Sequence, residues 1–296
     1  MRLDKKLLEL FPEKTRSQCA NLIQNGLVKV NNVLVHKTGF AVEDSDEILL
    51  EEIQVVLKDI VAEDIPLNIV FENDDFLVIN KSKDIAVHPG DNDETKTGTI
   101  VNAVLYHCGK DLSNIDDVIR PGIVHRLDKD TTGVLIVAKN NAFHACLAKQ
   151  IEERSVKKMY RAIVMGRPQD GVIEAPISRS LKDRKKMAVR KGGRTAKTIF
   201  KVLEYFEDID ASLVEIQLIT GRTHQIRVHF TSIGYPVIGD VAYGNDKRNA
   251  FFKGKFKIDS QVLHAYSYEF LDLEGKEQKF VAEEPKEFAQ IINREI

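Results

Sequence analysis

Tryptophan is absent from this chain, and cysteine occurs only three times, at Cys19, Cys108 and Cys146. Thiols that are odd in number and far apart give neither a disulfide framework nor metal-ligand spacing, and they point to a reducing cytoplasm. Long apolar runs are missing as well. Leu49-Leu50 is cut off at once by Glu51-Glu52, and no stretch approaches the length of a membrane span. The start, Met-Arg-Leu-Asp-Lys-Lys, lacks the apolar centre of a secretory signal. No glycine-rich phosphate loop of the P-loop kind occurs. A membrane partner, a disulfide-stapled scaffold and a P-loop nucleotide site are therefore not expected.

What is present suits a soluble globular protein: 296 residues, 43% apolar and 30% charged, enough for a large core and a small appendage. The formal net charge of −2 conceals strong segregation. Residues 43–75 hold twelve acids and one base, Lys58. Residues 179–197 hold nine bases, among them Lys185, Lys186 and Arg190, against Asp183 alone. A basic stretch of this density is either a polyanion contact or a solvated loop.

Along the chain, Leu3, Leu7 and Phe11 share one face of a short helix over residues 2–11, which Pro12 ends. Thr15 or Ser17 is placed to cap a second helix that stops at Gly26. Two apolar runs then flank Asn31-Asn32, a two-residue hairpin signal. This small module carries Arg2, Lys5, Arg16 and Lys29 on a chain segment ending near residue 50. An acidic linker follows over 51–66, and from residue 67 strands mix with helices. Ile69–Phe71 and Phe76–Asn80 surround Asn73-Asp74-Asp75 as a hairpin. Phe143, Leu147 and Ile151 mark a helix behind an Asn140 or Asn141 cap, and Tyr160, Ala162 and Val164 share one face of a strand.

Two polar clusters stand out. His125-Arg126-Leu127-Asp128-Lys129-Asp130-Thr131-Thr132-Gly133 lies between the apolar runs Pro121–Val124 and Val134–Ala138, which read as buried strands supporting a polar loop. Arg126 and Asp128 share a face if that loop is extended. By spacing alone they are either a reactive pair or a solvated surface ion pair. The second cluster runs from Gly221 to His229, with Thr223 placed to cap a helix reaching about Ile233. Ile226, Phe230 and Ile233 face the core, which puts Arg227 beside the buried stripe and in need of a carboxylate: Asp128 or an ordinary structural acid. His224 and His229 do not share a helical face, so no metal site is expected. The His-Arg-Leu-Asp string is not a kinase catalytic loop, because no Gly-x-Gly-x-x-Gly precedes it and no Asp-Phe-Gly follows.

The ordered set of motifs resembles the pseudouridine synthases of the RluA/RluD type. Asn80-Lys81 with His88-Pro89-Gly90, the run 125–133, Lys158-Met159-Tyr160-Arg161-Ala162, Gly221–His229 continuing to Tyr235-Pro236-Val237-Ile238-Gly239-Asp240, and Leu263-His264-Ala265 carry the likeness over nearly the whole chain. Ser82 stands where the first motif usually has proline. The N-terminal module is similar to the S-four-like RNA-binding fold, through Arg2-Leu3-Asp4, Thr15-Arg16-Ser17 and Gly26–Asn31.

The resemblance implies an α+β protein: a small RNA-binding domain over 1–50, the acidic linker, and a catalytic domain over 67–296 built on a central, mostly antiparallel mixed sheet flanked by helices. It implies isomerisation of specific uridines in RNA, with large-subunit ribosomal RNA, free or in a ribosomal particle, as partner. A monomer needing no metal, nucleotide or redox cofactor is expected. Asp128 would be the nucleophile or charge stabiliser, on ribose or on base, and Arg227 the counter-ion that aims it. Tyr160 would stack on the flipped uracil and relay its proton, and Arg126 would fill the vacated space and contact phosphate. Arg2, Lys5, Arg16, Lys29, Lys185, Lys186, Arg190 and Arg222 would hold RNA. A non-catalytic assembly factor and a glycosidase are the competing readings. Intact Asp128, Tyr160 and Arg227 weigh against the first; the want of a second well-placed acid and of tryptophan weighs against the second.

Overall fold

The computed structural model describes residues 1–11, 16–24, 26–50, 60–89, 96–109, 112–113 and 121–294. The chain divides into two compact units, Met1–Asp59 and Ile60–Ile296. The expected linker lies outside the described residues as far as residue 59. Beyond it, Val61 and Glu63 already belong to the second unit: the Val61 carbonyl accepts from Asn102 Nδ2 (2.8 Å) and the Glu63 carboxylate from the Gly98 amide (3.1 Å).

In the first unit, helices α1 (Leu3–Leu10) and α2 (Arg16–Gln24) pack on an antiparallel sheet of order β2-β1-β3, formed by β1 (Val28–Val30), β2 (Val33–Leu34) and β3 (Ile48–Leu50). Leu3, Leu7, Cys19, Ile23, Val28 and Val30 form its core, as the helical spacing of the leucines predicts. Asn31 and Asn32 turn the hairpin with φ of 50° and 65°, the pair of positive angles a tight two-residue turn requires. Pro12, Thr15 and, in the second unit, Gly90 fall outside the described residues.

The second unit is organised on a nine-stranded mixed sheet among the described residues. Its strands are β4 (Ile69–Glu72), β5 (Phe76–Lys81), β6 (Thr132–Ala138), β7 (Lys157–Met165), β8 (Gly171–Glu174), β11 (Lys197–Phe206), β12 (Ala211–Leu218), β13 (Leu263–Leu271) and β14 (Glu277–Val281). The order is β4-β5-β6-β13-β7-β12-β11-β8, with β14 beside β13. Every pairing is antiparallel except β6 with β13. A separate hairpin, β9 (Ile177–Arg179) with β10 (Met187–Val189), carries the basic segment. Helices α3 (Ile100–Cys108), α4 (Asn141–Glu153), α5 (Gln225–Ser232), α6 (Asp246–Phe256) and α7 (Lys286–Ile292) complete the unit.

Two apolar layers hold the sheet. Phe76, Val134, Ile136, Phe143, Leu147 and Phe270 form one, against α4. Ile163, Phe206, Ile238, Phe252, Phe256 and Phe288 form the other, against α6 and α7. Asn140 caps α4 by accepting from the Phe143 amide (2.9 Å), as its sequence position foretells. Gly133 has φ 111° at the parallel seam, and a β-carbon there would fall 2.3 Å from the Ala265 carbonyl oxygen. Only glycine lets β6 and β13 approach so closely.

Three sequence expectations are corrected. Pro121–Val124 is not a strand; only Ile123 makes a single bridge, to Val137. The residue before α5 is His224, with φ 55° and no side-chain cap, so Thr223 does not cap that helix. Ile233 caps the C-terminal end of α5 and is exposed, so the stripe that faces the core ends at Phe230.

Candidate active site

The polar loop 125–131 enters β6 from a set of fixed attachments. His125 Nε2 accepts from the Ile136 amide (3.0 Å), and its ring stacks on Tyr268 at 4.6 Å. Burial, with Lys158 adding to it, pushes the His125 pKa down to about 3, so this ring is a neutral brace. Leu127 is buried, and the Thr131 amide returns to the Asp128 carbonyl (3.1 Å) to close a turn. Lys81, at the end of β5, is fully buried beneath the loop. Its ammonium donates to the carbonyls of Ser82 (2.8 Å), Ile85 (2.9 Å) and Lys129 (2.7 Å). Burial lowers its pKa to about 8, so at neutral pH three N–H donors meet three acceptors. Sequence reading placed Lys81 in a motif without giving it this task.

Asp128 and Arg227 meet, although 99 residues separate them: Arg227 Nη1 donates to Asp128 Oδ2 at 2.9 Å. The guanidinium is itself clamped from behind. Its Nε and Nη2 bond the two oxygens of Asp240 at 2.7 and 2.9 Å, and Asp240 Oδ1 also accepts from the amides of Ala242 and Tyr243. The Asp240 carboxylate is wholly buried, Arg227 is 7% exposed, and Asp128 keeps 19% exposure. Burial alone would lower the Arg227 pKa, but the bonds to Asp240 and the charge of Asp128 outweigh it and hold the pKa above its ordinary value. The ordinary structural acid weighed from sequence is thus also there, as Asp240. One arginine serves both carboxylates, and Asp128 keeps Oδ1 clear of that clamp.

His224 Nε2 lies 3.9 Å from Asp128 Oδ1, and Nδ1 is 2.7 Å from the Tyr243 hydroxyl, which accepts from the Met187 amide (2.8 Å). Burial lowers the His224 pKa. A neutral ring takes the Tyr243 proton at Nδ1 and presents its own N–H toward the carboxylate, so both neighbours select the same tautomer. His229, the other half of the rejected metal pair, sits between Thr198 Oγ1 (2.9 Å) and the Ala175 carbonyl (3.0 Å) as a satisfied core histidine. Gln225 is a strap, bonded to Thr220, Arg222, Lys197 and Thr198.

These residues open on a cavity of about 580 Å³, within the size range of small-molecule sites. Tyr160 lines it from β7, 7% exposed, and its hydroxyl makes no hydrogen bond among the described residues. Burial, with Asp128 adding to it, raises the phenol's pKa, so it stays protonated. Arg126, Arg154, Lys158, Arg194, Arg222 and Arg227 line the cavity against two acids, Asp128 and Glu152. Such a wall favours an anionic ligand. Arg154 ends α4 with φ 61°, a conformation in which glycine is usual, and neighbouring Arg194 and Arg154 depress the Arg222 pKa further after burial has lowered it.

The predicted RNA-holding residues divide. Lys185 and Arg190 are exposed on the basic hairpin. Lys186 is turned inward, donating to the Ala242 carbonyl at 2.6 Å, and so anchors the hairpin beside Asp240. It is not an open RNA contact. In the first unit, Arg2 and Arg16 both bond Asp4, at 2.9 and 3.0 Å, so their charge is partly spent on a buried carboxylate. Lys5 is exposed and Lys29 half-buried. Asp240, His224, Tyr243 and Arg154 were missed as functional residues. His224 and Asp240 lie in the runs Gly221–His229 and Tyr235–Asp240, which gave a signal without these roles; nothing in the sequence marked Tyr243 or Arg154.

Residues 75–232 match the family described as RNA pseudouridylate synthase, and residues 1–48 match the S4 domain. An RNA pseudouridine synthase of Aquifex aeolicus is 41% identical over 99% of this chain and 93% of its own length. The ribosomal large subunit pseudouridine synthase D of Zymomonas mobilis is 40% identical over 97% of this chain and 91% of its own. Among solved structures, human RNA pseudouridylate synthase domain containing 1 superposes with a TM-score of 0.60 at 26% identity, covering 76% of this chain and 86% of that one. The chain belongs to the RNA pseudouridine synthase family. It is an isomerase that acts on uridine in RNA, with an S4 RNA-binding domain at its N-terminus.

Proposed function

We propose that this enzyme converts specific uridines of large-subunit ribosomal RNA to pseudouridine, and that Asp128 carries the chemistry. The Arg227–Asp128 contact at 2.9 Å, with Arg227 locked on Asp240, is the observation that carries the assignment. The substrate class rests on the names of the relatives and on the S4 domain.

The reaction breaks the C1′–N1 bond and makes a C1′–C5 bond; C5 gives up a proton and N1 gains one. A stacked uridine shields these atoms, so the nucleotide must flip into the cavity, as bases do in other enzymes that act on them. Asp128 then meets the electron-poor centre with Oδ1 while Arg227 fixes Oδ2. Tyr160 offers a ring to stack on uracil and a protonated hydroxyl to relay the C5 proton. Arg126 fills the space left in the RNA, and Arg154, Arg194 and Arg222 at the cavity wall take the flanking phosphates. Excluding water keeps the detached base from being lost.

Pseudouridine mapping of ribosomal RNA and transfer RNA incubated with the protein tests this reading. New sites in large-subunit RNA, absent with Asp128→Asn, are expected. Conversion by the Asp128→Asn variant would overturn the role of Asp128, and conversion of transfer RNA alone would overturn the substrate.

A further inference from the structure

One cation lining the cavity is buried without a counter-charge among the described residues. Lys158 precedes Tyr160 by two residues on β7, so the two side chains leave the same face of the strand. Lys158 is 7% exposed and lines the cavity with Tyr160, Asp128 and Tyr268. Its ammonium has no hydrogen bond or ion pair among the described residues, and the only influence on its pKa is burial, which lowers it. The Tyr268 hydroxyl beside it is buried and likewise without a partner. An ammonium held this deep with no anion costs stability, and proteins keep such groups where a ligand supplies the missing charge.

We propose that Lys158 is a catalytic residue, the cation that meets the negative charge building on the uracil ring while the base is detached and turned. The proposal rests on the activity assigned above. When C1′–N1 breaks, the bonding pair leaves with N1 and the base becomes a uracil anion, its charge shared with the carbonyl oxygens O2 and O4. If Asp128 instead adds to the ring, the pair displaced from the C5–C6 double bond also moves onto the base. Either route makes the pyrimidine negative, and the new C1′–C5 bond discharges it. Lys158 transfers no proton in this scheme; it stabilises charge that exists only between the two bonds, which is where a fixed cation in a water-poor site lowers a barrier most. Its depth and its place beside Tyr160 set it against the base. Phosphate is left to the arginines of the cavity wall.

The test compares wild type, Lys158→Met and Lys158→Arg on protein-free large-subunit ribosomal RNA in which wild type has been shown to form pseudouridine. Single-turnover rate, RNA dissociation constant and melting temperature are read for each. Lys158→Met should slow the single-turnover rate by about 10²–10³-fold, the size of one missing charge stabiliser. RNA affinity should stay within about threefold, and the melting temperature should rise as an unpaired buried charge is removed. Lys158→Arg should recover part of the rate. An unchanged rate in Lys158→Met overturns the proposal, as does a parallel fall in RNA affinity with a lower salt slope, which would make Lys158 a phosphate contact. A fallen melting temperature with a rate restored by saturating RNA would make it structural. The wild-type and Asp128→Asn controls report separately on the parent assignment.

Discussion

Arg227 is the residue on which two carboxylates depend, and they depend on it unequally. Asp240 is fully buried and takes two of its bonds; Asp128 takes one and faces the cavity. Asp240→Asn should therefore damage more than geometry: with the clamp halved, a buried guanidinium is left short of charge. A loss of about 3–5 kcal/mol is expected in denaturant unfolding, with pseudouridine formation falling alongside. Lys81 gives a second residue-scale test. Its folded pKa of about 8 lies below the ordinary lysine value of 10.5, so between those values the unfolded chain binds more protons and stability rises with pH. Below about pH 8 both states are charged and the slope vanishes. Unfolding free energies over that window should show the rise in wild type and lack it in Lys81→Met.

At the scale of elements, the β9–β10 hairpin is more than a holder of basic residues. It is tied to the catalytic loops by Lys186 to the Ala242 carbonyl and by the Met187 amide to the Tyr243 hydroxyl. Its exposed residues and its inward residues should answer to different measurements. Neutralising Lys185 and Arg190 should reduce the salt dependence of RNA binding by about one logarithmic unit for each phosphate left without its cation, and leave unfolding unchanged. Tyr243→Phe removes the proton that sets the His224 tautomer and should slow turnover by about tenfold with little change in RNA affinity. Equally weakened binding in both variants would show that the hairpin acts only as a grip.

For the whole molecule, the parts read from sequence are those that local pattern dictates. The Asn31-Asn32 turn, the Asn140 cap and the alternation of Tyr160, Ala162 and Val164 follow from neighbours in the chain. The site residues Asp128, Tyr160 and Arg227 were visible because an ordered family pattern marks them. What was hidden depends on distant partners. Nothing near Asp240 announces that it will take two bonds from Arg227, and nothing near Lys186 says that it will turn inward to Ala242. Thr223 has a good capping side chain, yet the backbone turns one residue later, at His224, whose ring is wanted beside Asp128. Charge segregation was legible and has a consequence at this scale: association with RNA should be steered by the basic segment, so the on-rate falls steeply as salt rises, measurable by stopped flow.

The parallel seam between β6 and β13 bears on how the enzyme is made. Thr132 and His264 pair across that seam, and β13 lies between β6 and β7 although it follows both by some hundred residues of chain. A ribosome delivers the catalytic loop and Tyr160 long before it delivers the strand that joins them. Until β13 emerges, the sheet is two separate sets of strands, β4-β5-β6 and β7-β12-β11-β8, with open edges at β6 and β7 where the inserted strand will lie. The nascent chain therefore has the reactive side chains without their arrangement. Competence for chemistry arrives late in synthesis, when the inserted strand closes the seam at Gly133.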